Sequence, residues 1–276
     1  MANWIRTLFE TVVCTLLWCV FHEIAYRFVK QPKLVASMKD EKEKQSSFCR
    51  YISHFPAVLH APVTTIASLY CLYYYGVTYG QSTNGLENIP IMYSASYFIH
   101  DLIYGVMHGY NSHMENLHHV LIGGILLFSY GSNMYGNDLC NGLAQGEITN
   151  PLLATYEILY FHGFPDNVVQ PFGVLFLSSF VFIRTFVSGS QTWMMQHSSS
   201  NLWFKISYTG MWSVSLFLVW MVLNKAIKLL SVTFPELKPL QLAYKCAKFL
   251  RPYQMHYNVA VSILANIGIV HYYLSK

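Results

Sequence analysis

The side chains that could do chemistry crowd into one apolar stretch: His100-Asp101, His108, His113, Glu115 and the pair His118-His119. Arg50 and His54 precede them; Glu147, Asn150, Glu157 and an isolated Arg184 follow. A neutral imidazole can attack a thioester carbonyl or act as a base, and a carboxylate beside it fixes its tautomer and raises its basicity. Asp101 and His108 are seven residues apart, so on a helix they share one face. His118 and His119 would point about 100° apart, so one of them at most faces a given cavity squarely. The competing reading is architectural, with charges paired to tie helices together.

Other chemistries fit less well. Di-iron membrane oxidases need several clustered boxes of the HxxxH and HxxHH kinds. Here the spacings are His113-x4-His118-His119 and His54-x5-His60, so no metal is expected. The chain has no Gly-rich phosphate loop, GxSxG elbow or HExxH motif. Cys14, Cys19, Cys49, Cys71, Cys140 and Cys246 form no CxxC and read as small hydrophobes. No N-x-[ST] sequon occurs.

The elements that must position these groups are membrane spans. Of 276 residues 54% are hydrophobic and only 11% charged, less than half the share of a soluble domain. Mean hydropathy is +0.32. Apolar runs place spans at roughly 4–28, 51–76, 90–109, 115–135, 140–161, 170–190, 204–230 and 256–274. The first looks superficially like a signal peptide, but no small-residue cleavage site follows it, so it reads as a retained span. Two basic breaks interrupt the runs, Lys30–Arg50 and Ser231–Gln254. The Lys39–Lys44 run is expected to be a solvated loop, and Pro239–Phe249 a short interfacial helix. Both breaks should face one side of the membrane, which requires an even number of crossings between them. The fifth run, broken by Asn141, Gln145, Glu147, Asn150 and Pro151, is the weakest, and parity favours a full crossing there. Arg184 should turn inward and find an anion among Asp101, Glu147 and Glu157.

Several fragments, in order, resemble the TLC domain family over roughly residues 46–230. They are Arg50-Tyr51-Ile52-Ser53-His54, Ser96 to Tyr104 with its aromatic-Asp-Leu segment, Leu117-His118-His119, Phe128-Ser129-Tyr130 with Asn133-Met134, and Gly146-Glu147-Ile148-Thr149-Asn150-Pro151. The resemblance implies an all-α integral membrane protein with a six-helix barrel-like core around a lipid-facing cavity. One extra helix at each end makes about eight spans. The units would be residues 1–45, the core 46–230, and a basic segment with a last span over 231–276. It also implies the endoplasmic reticulum as the usual home, while the orientation argument applies equally to an inner mitochondrial membrane.

In ceramide synthases, more distant relatives on this resemblance, a histidine pair and two downstream acids serve acyl transfer from acyl-CoA to a sphingoid amine. Carried over, His118 and His119 are kept, Glu147 replaces one acid, and neutral Asn150 replaces the other. An amide cannot act as a general base, so the favoured expectation is a non-catalytic lipid-binding protein without cofactor. On that reading Arg50, His54, His100, His108, Asn150, Glu157 and Arg184 are polar cavity or structural residues. The alternative is an acyl-CoA-dependent N-acyltransferase using His118, His119, Glu147 and Asp101, with acyl-CoA as co-substrate. A third is an accessory subunit of a larger membrane complex. Membrane lipids are the expected partners, other membrane subunits belong to the third reading, and no nucleic acid is expected.

Overall fold

The computed structural model describes residues 2–233 and 236–250. The eighth apolar run, 256–274, lies outside them. The described chain forms α1 (Ala2–Phe28), α2 (Lys33–Ala36), α3 (Glu41–Tyr75), α4 (Asn88–His108), α5 (His113–Ser132), α6 (Gly136–Glu147) and α7 (Asn150–Phe161). After these come α8 (Asp166–Phe182), a π turn (Ile183–Val187), α9 (Ser188–Gln196), α10 (Leu202–Thr233) and α11 (Lys238–Leu250). Among the described residues, four stretches are long and apolar enough to cross a membrane: Trp4–Phe28, Glu41–Tyr75, Asp166–Gln196 and Leu202–Lys228. Their outer faces carry exposed Ile5, Phe9, Leu17, Val174 and Trp203, a surface suited to hydrocarbon.

Neighbour contacts run from α3 to α4, α5, α10, α8, α7 and back to α3, while α6 leans inward against α3, α4, α5 and α9. α1 packs outside, on α3, α4 and α5. Its buried Trp18 sits among the rings of His60, Tyr93, Tyr97 and His100.

The Lys39–Lys44 run is not a loop, contrary to expectation. Asp40 caps α3 by accepting from the N–H groups of Lys42 and Glu43, and Glu41 and Glu43 occupy the first turn. Carboxylates there face the positive end of the helix dipole, which makes this charge run a helix start. The expected helix over Pro239–Phe249 is present as α11.

The fifth run is broken but does not double back. Pro151 has no N–H to offer the Glu147 carbonyl, so α6 ends and α7 restarts at Asn150. At one end Asn137 bonds to the Gly76 carbonyl beyond α3; at the other, Glu157 bonds to Arg50 and His162 to Tyr51 near the start of α3. Residues 136–161 therefore run antiparallel to α3 along most of its length.

A polar clamp closes the end away from the basic breaks. Asn137 accepts from the Thr78 N–H and donates to the Gly76 carbonyl and to buried Glu87. Asp138 accepts from the Gly80 N–H, and its own carbonyl accepts from Gln191. Tyr135 precedes them at φ 66, a conformation rare for a non-glycine residue. Its ring stacks on Phe204 at 4.0 Å and its N–H donates to the Gln81 carbonyl, which together hold it there. Gly136 allows the close approach, since a Cβ there would meet Thr83 Cγ2 at 2.4 Å and Glu87 Oε2 at 2.6 Å.

Two stability outcomes follow from these contacts. Asn137→Ala strands buried partners on two segments, and Gly136→Ala forces them apart. Each is expected to lower the unfolding free energy in detergent by roughly 2–4 kcal/mol, and an unchanged melting midpoint in both variants would refute the clamp. Arg50 and Glu157 join α3 to α7 through a two-pronged ion pair that is only partly exposed. Glu157→Gln should cost about 1–3 kcal/mol, and a double-mutant cycle with Arg50→Met should show clear coupling. Additive single effects would show the pair to be energetically idle.

Candidate functional site

Inside the ring lies a cavity of about 220 Å³ with two unlike walls. One is polar, built by α3, α4, α5 and the α4–α5 turn: Arg50, His54, Asp101, Tyr110, Asn111, His118 and His119. The other is apolar, built by α7, α8 and α10: Leu153, Ala154, Phe176, Phe180, Leu218 and Val222. Glu147, Asn150 and Arg184 also line it, with Glu115, Tyr97 and Phe98 among the rest. His118, Glu147 and Arg184 also line a narrower chamber of about 40 Å³, walled by Ile122, Leu126, Leu139, Leu143, Tyr208 and Trp212. These three side chains stand between the two spaces.

The α4–α5 turn sets the polar wall. Gly109 ends α4 at φ 63, and Ser112 with Glu115 forms a capping box that starts α5. Asn111 folds back over Gly105, where a Cβ would meet its Nδ2 at 2.0 Å. The resulting tight hairpin brings His119 Nδ1 to 3.2 Å from Asp101 Oδ2, near enough for electrostatic pairing though not aligned as a hydrogen bond. Tyr110 donates its hydroxyl to the other Asp101 oxygen at 3.2 Å. Neighbouring His118 turns away to the junction of the chambers, so the two imidazoles face different surroundings.

The helix break sets the floor. Asn150 Nδ2 donates to Glu147 Oε2 at 2.8 Å, and His60 Nδ1 stands 3.4 Å from the same oxygen. Arg184 reaches the break from the π turn, donating from Nη2 to the Gly146 carbonyl at 2.7 Å. The π turn leaves the Arg184 carbonyl to accept from Trp212 Nε1 at 3.1 Å. Arg184 thus faces the interior; its direct hydrogen-bond partner is a backbone carbonyl, while Glu147, one of the anticipated acids, acts on it electrostatically from beyond ion-pair distance. No carboxylate oxygen among the described residues lies within 4.0 Å of it. Pro151 breaks the helix beside it, and a backbone carbonyl takes the place of the acid.

Glu157 sits behind the polar wall. It accepts from Arg50 Nε and Nη2 at 3.1 and 2.9 Å, and His54 Nε2 lies 2.6 Å away. Both partners line the cavity, so Glu157 fixes their position. His100 and His108 belong elsewhere. His100 is fully buried between α1 and α4, against Trp18, His22 and Tyr104, and the His108 ring packs on Tyr104. The shared face predicted for Asp101 and His108 gathers no common group. Sequence reasoning missed His60, Tyr110, Asn111 and Tyr208. The sharp Gly109-Tyr110-Asn111-Ser112 turn was a visible signal for two of them.

No group of three or more His, Cys, Asp and Glu side chains able to hold a metal is found among the described residues. The His119–Asp101–Tyr110 arrangement can fix an imidazole tautomer. The opposed walls can hold a molecule with one polar and one apolar end.

Residues 50–232, well over half of the chain, match the family model of the TLC domain. No curated protein matches the chain. With its long apolar helices, interior polar wall and this match, the chain is an integral membrane protein and belongs to the TLC domain family.

Proposed function

We propose that the protein binds a membrane lipid within its helical ring and does so without catalysis. The observation that carries this is the two-faced cavity: Arg50, His54, Asp101, His118 and His119 oppose Leu153, Phe176, Phe180, Leu218 and Val222. Such a space matches an amphiphile, whose polar end needs hydrogen-bonding partners that hydrocarbon cannot give. The acids support the non-catalytic side. Glu147 is engaged by Asn150 and His60, Glu157 by Arg50 and His54, and neither stands beside His118 or His119 as a base partner. We place the protein in the endoplasmic reticulum, the usual home of its family. In this reading the ring is a six-helix barrel with α1 as an additional span outside it.

A specific contact favours a second reading. His119 beside Asp101, with Tyr110 on the same carboxylate, is the geometry of an oriented base. It would serve an acyl-CoA-dependent N-acyltransferase.

The two readings part in one set of measurements. Protein purified in mild detergent should yield a lipid on solvent extraction, detected by mass spectrometry at near-equimolar amount. Ala57 lines the cavity from α3, and Ala57→Trp, which fills it, should remove most of the lipid. Acyl-CoA-dependent product made by the wild type and lost in His119→Ala would replace the first reading with the second.

A further inference from the structure

Arg184 and Arg50 are the two permanently charged cations lining the cavity, and they are answered differently. Arg50 spends two donors on Glu157. Arg184 is half-buried, with one nitrogen on the Gly146 carbonyl, its Nε buried without a partner, and its guanidinium carbon 5.4 Å from the centre of the Phe180 ring. The nearest acid lining the same floor is Glu147, and its Oε2 is held by Asn150 with His60 3.4 Å away. His118 and Tyr208 are the other titratable groups at this junction. A guanidinium in such a place is costly unless an anion meets it, and the protein supplies none within 4.0 Å among the described residues.

We propose that Arg184 anchors the anionic oxygens of the bound amphiphile, a carboxylate or a phosphate monoester, while the alkyl chain lies along Phe176, Phe180, Leu218 and Val222. This rests on the lipid-binding reading above and names the class of lipid. Arg184 suits the task, because a planar fork of donors fits either oxyanion. Its contact with Phe180 places the charged end beside the start of the apolar wall. The narrower chamber, at about 40 Å³, holds about three waters, so the chain is assigned to the larger cavity.

The test is equilibrium binding of four lipids to the full chain in detergent: oleate, 1-oleoyl lysophosphatidate, and the neutral methyl oleate and monoolein. Wild type should bind at least one of the charged pair roughly ten- to a hundredfold tighter than the neutral pair. The lipid so favoured identifies carboxylate or phosphate as the source. Arg184→Gln should erase that preference, and Arg184→Lys should restore part of it. If Arg184→Gln fails to fold, the wild-type preference and the Arg184→Lys variant still decide. Equal binding of charged and neutral lipids by the wild type overturns the anchor but leaves the lipid cavity standing. A preference that survives unchanged in Arg184→Gln does the same. Binding of none of the four overturns both.

Discussion

Hydrocarbon has no hydrogen bonds to give, and that constraint orders this structure. A backbone carbonyl, an imidazole or a guanidinium at bilayer depth must be met by another part of the same chain. Three irregularities show such an answer. Pro151 leaves a carbonyl short of its donor, and the break it makes is where Arg184 finds the Gly146 carbonyl. The π turn around Arg184 leaves another carbonyl open, and Trp212 takes it. The loop after α3 would leave its own amides bare, and Asn137 and Asp138 receive them. The defects in the helices and the polar side chains are two halves of one arrangement.

Because the polar groups are tied to helix breaks, they are also placed. Arg184 is held at the break by the Gly146 carbonyl and Glu147 by the Asn150 amide, so neither can drift without losing a hydrogen bond. Asp101 and His119 are brought together by a hairpin that leaves no room at Gly105 for a side chain. A cavity with such walls is already shaped for its occupant. Binding therefore loses less to the ordering of side chains than it would in a mobile pocket.

Much of the fold was legible in the sequence because the membrane enforces a single length scale. Runs such as 51–76 and 204–230 correspond to α3 and α10 within a turn or two, except where α3 starts ten residues earlier on the Asp40 cap. That early start was hidden because a charge run looks like a loop until the helix dipole is considered. The site was less legible. Sequence places Asp101 and His118-His119 on successive helices and sets the two imidazoles about 100° apart, but it does not say which of them meets Asp101. Nor does it show that His100 turns toward α1 while Asp101, one residue on, turns inward. A rotation of about 100° between neighbours decides which of two polar residues enters a cavity, and packing against Trp18 and His22 fixes that rotation.

Arg184 meets the charge pairing expected from sequence only at longer range: Glu147 acts on it electrostatically, without a direct ion pair. Three acids were available to it, and each makes its direct contacts elsewhere: Asp101 with Tyr110 and His119, Glu147 with Asn150 and His60, Glu157 with Arg50 and His54. Had the site evolved for stability alone, the least costly arrangement would set Arg184 directly against Glu147, which lines the same floor. Instead Asn150 holds Glu147 from the other side of the break, and the guanidinium turns its free edge toward the junction of two chambers. A cation kept apart from its nearest acid costs folding energy and keeps an interaction in reserve. Such an arrangement is expected of a binding site and is hard to account for as scaffold.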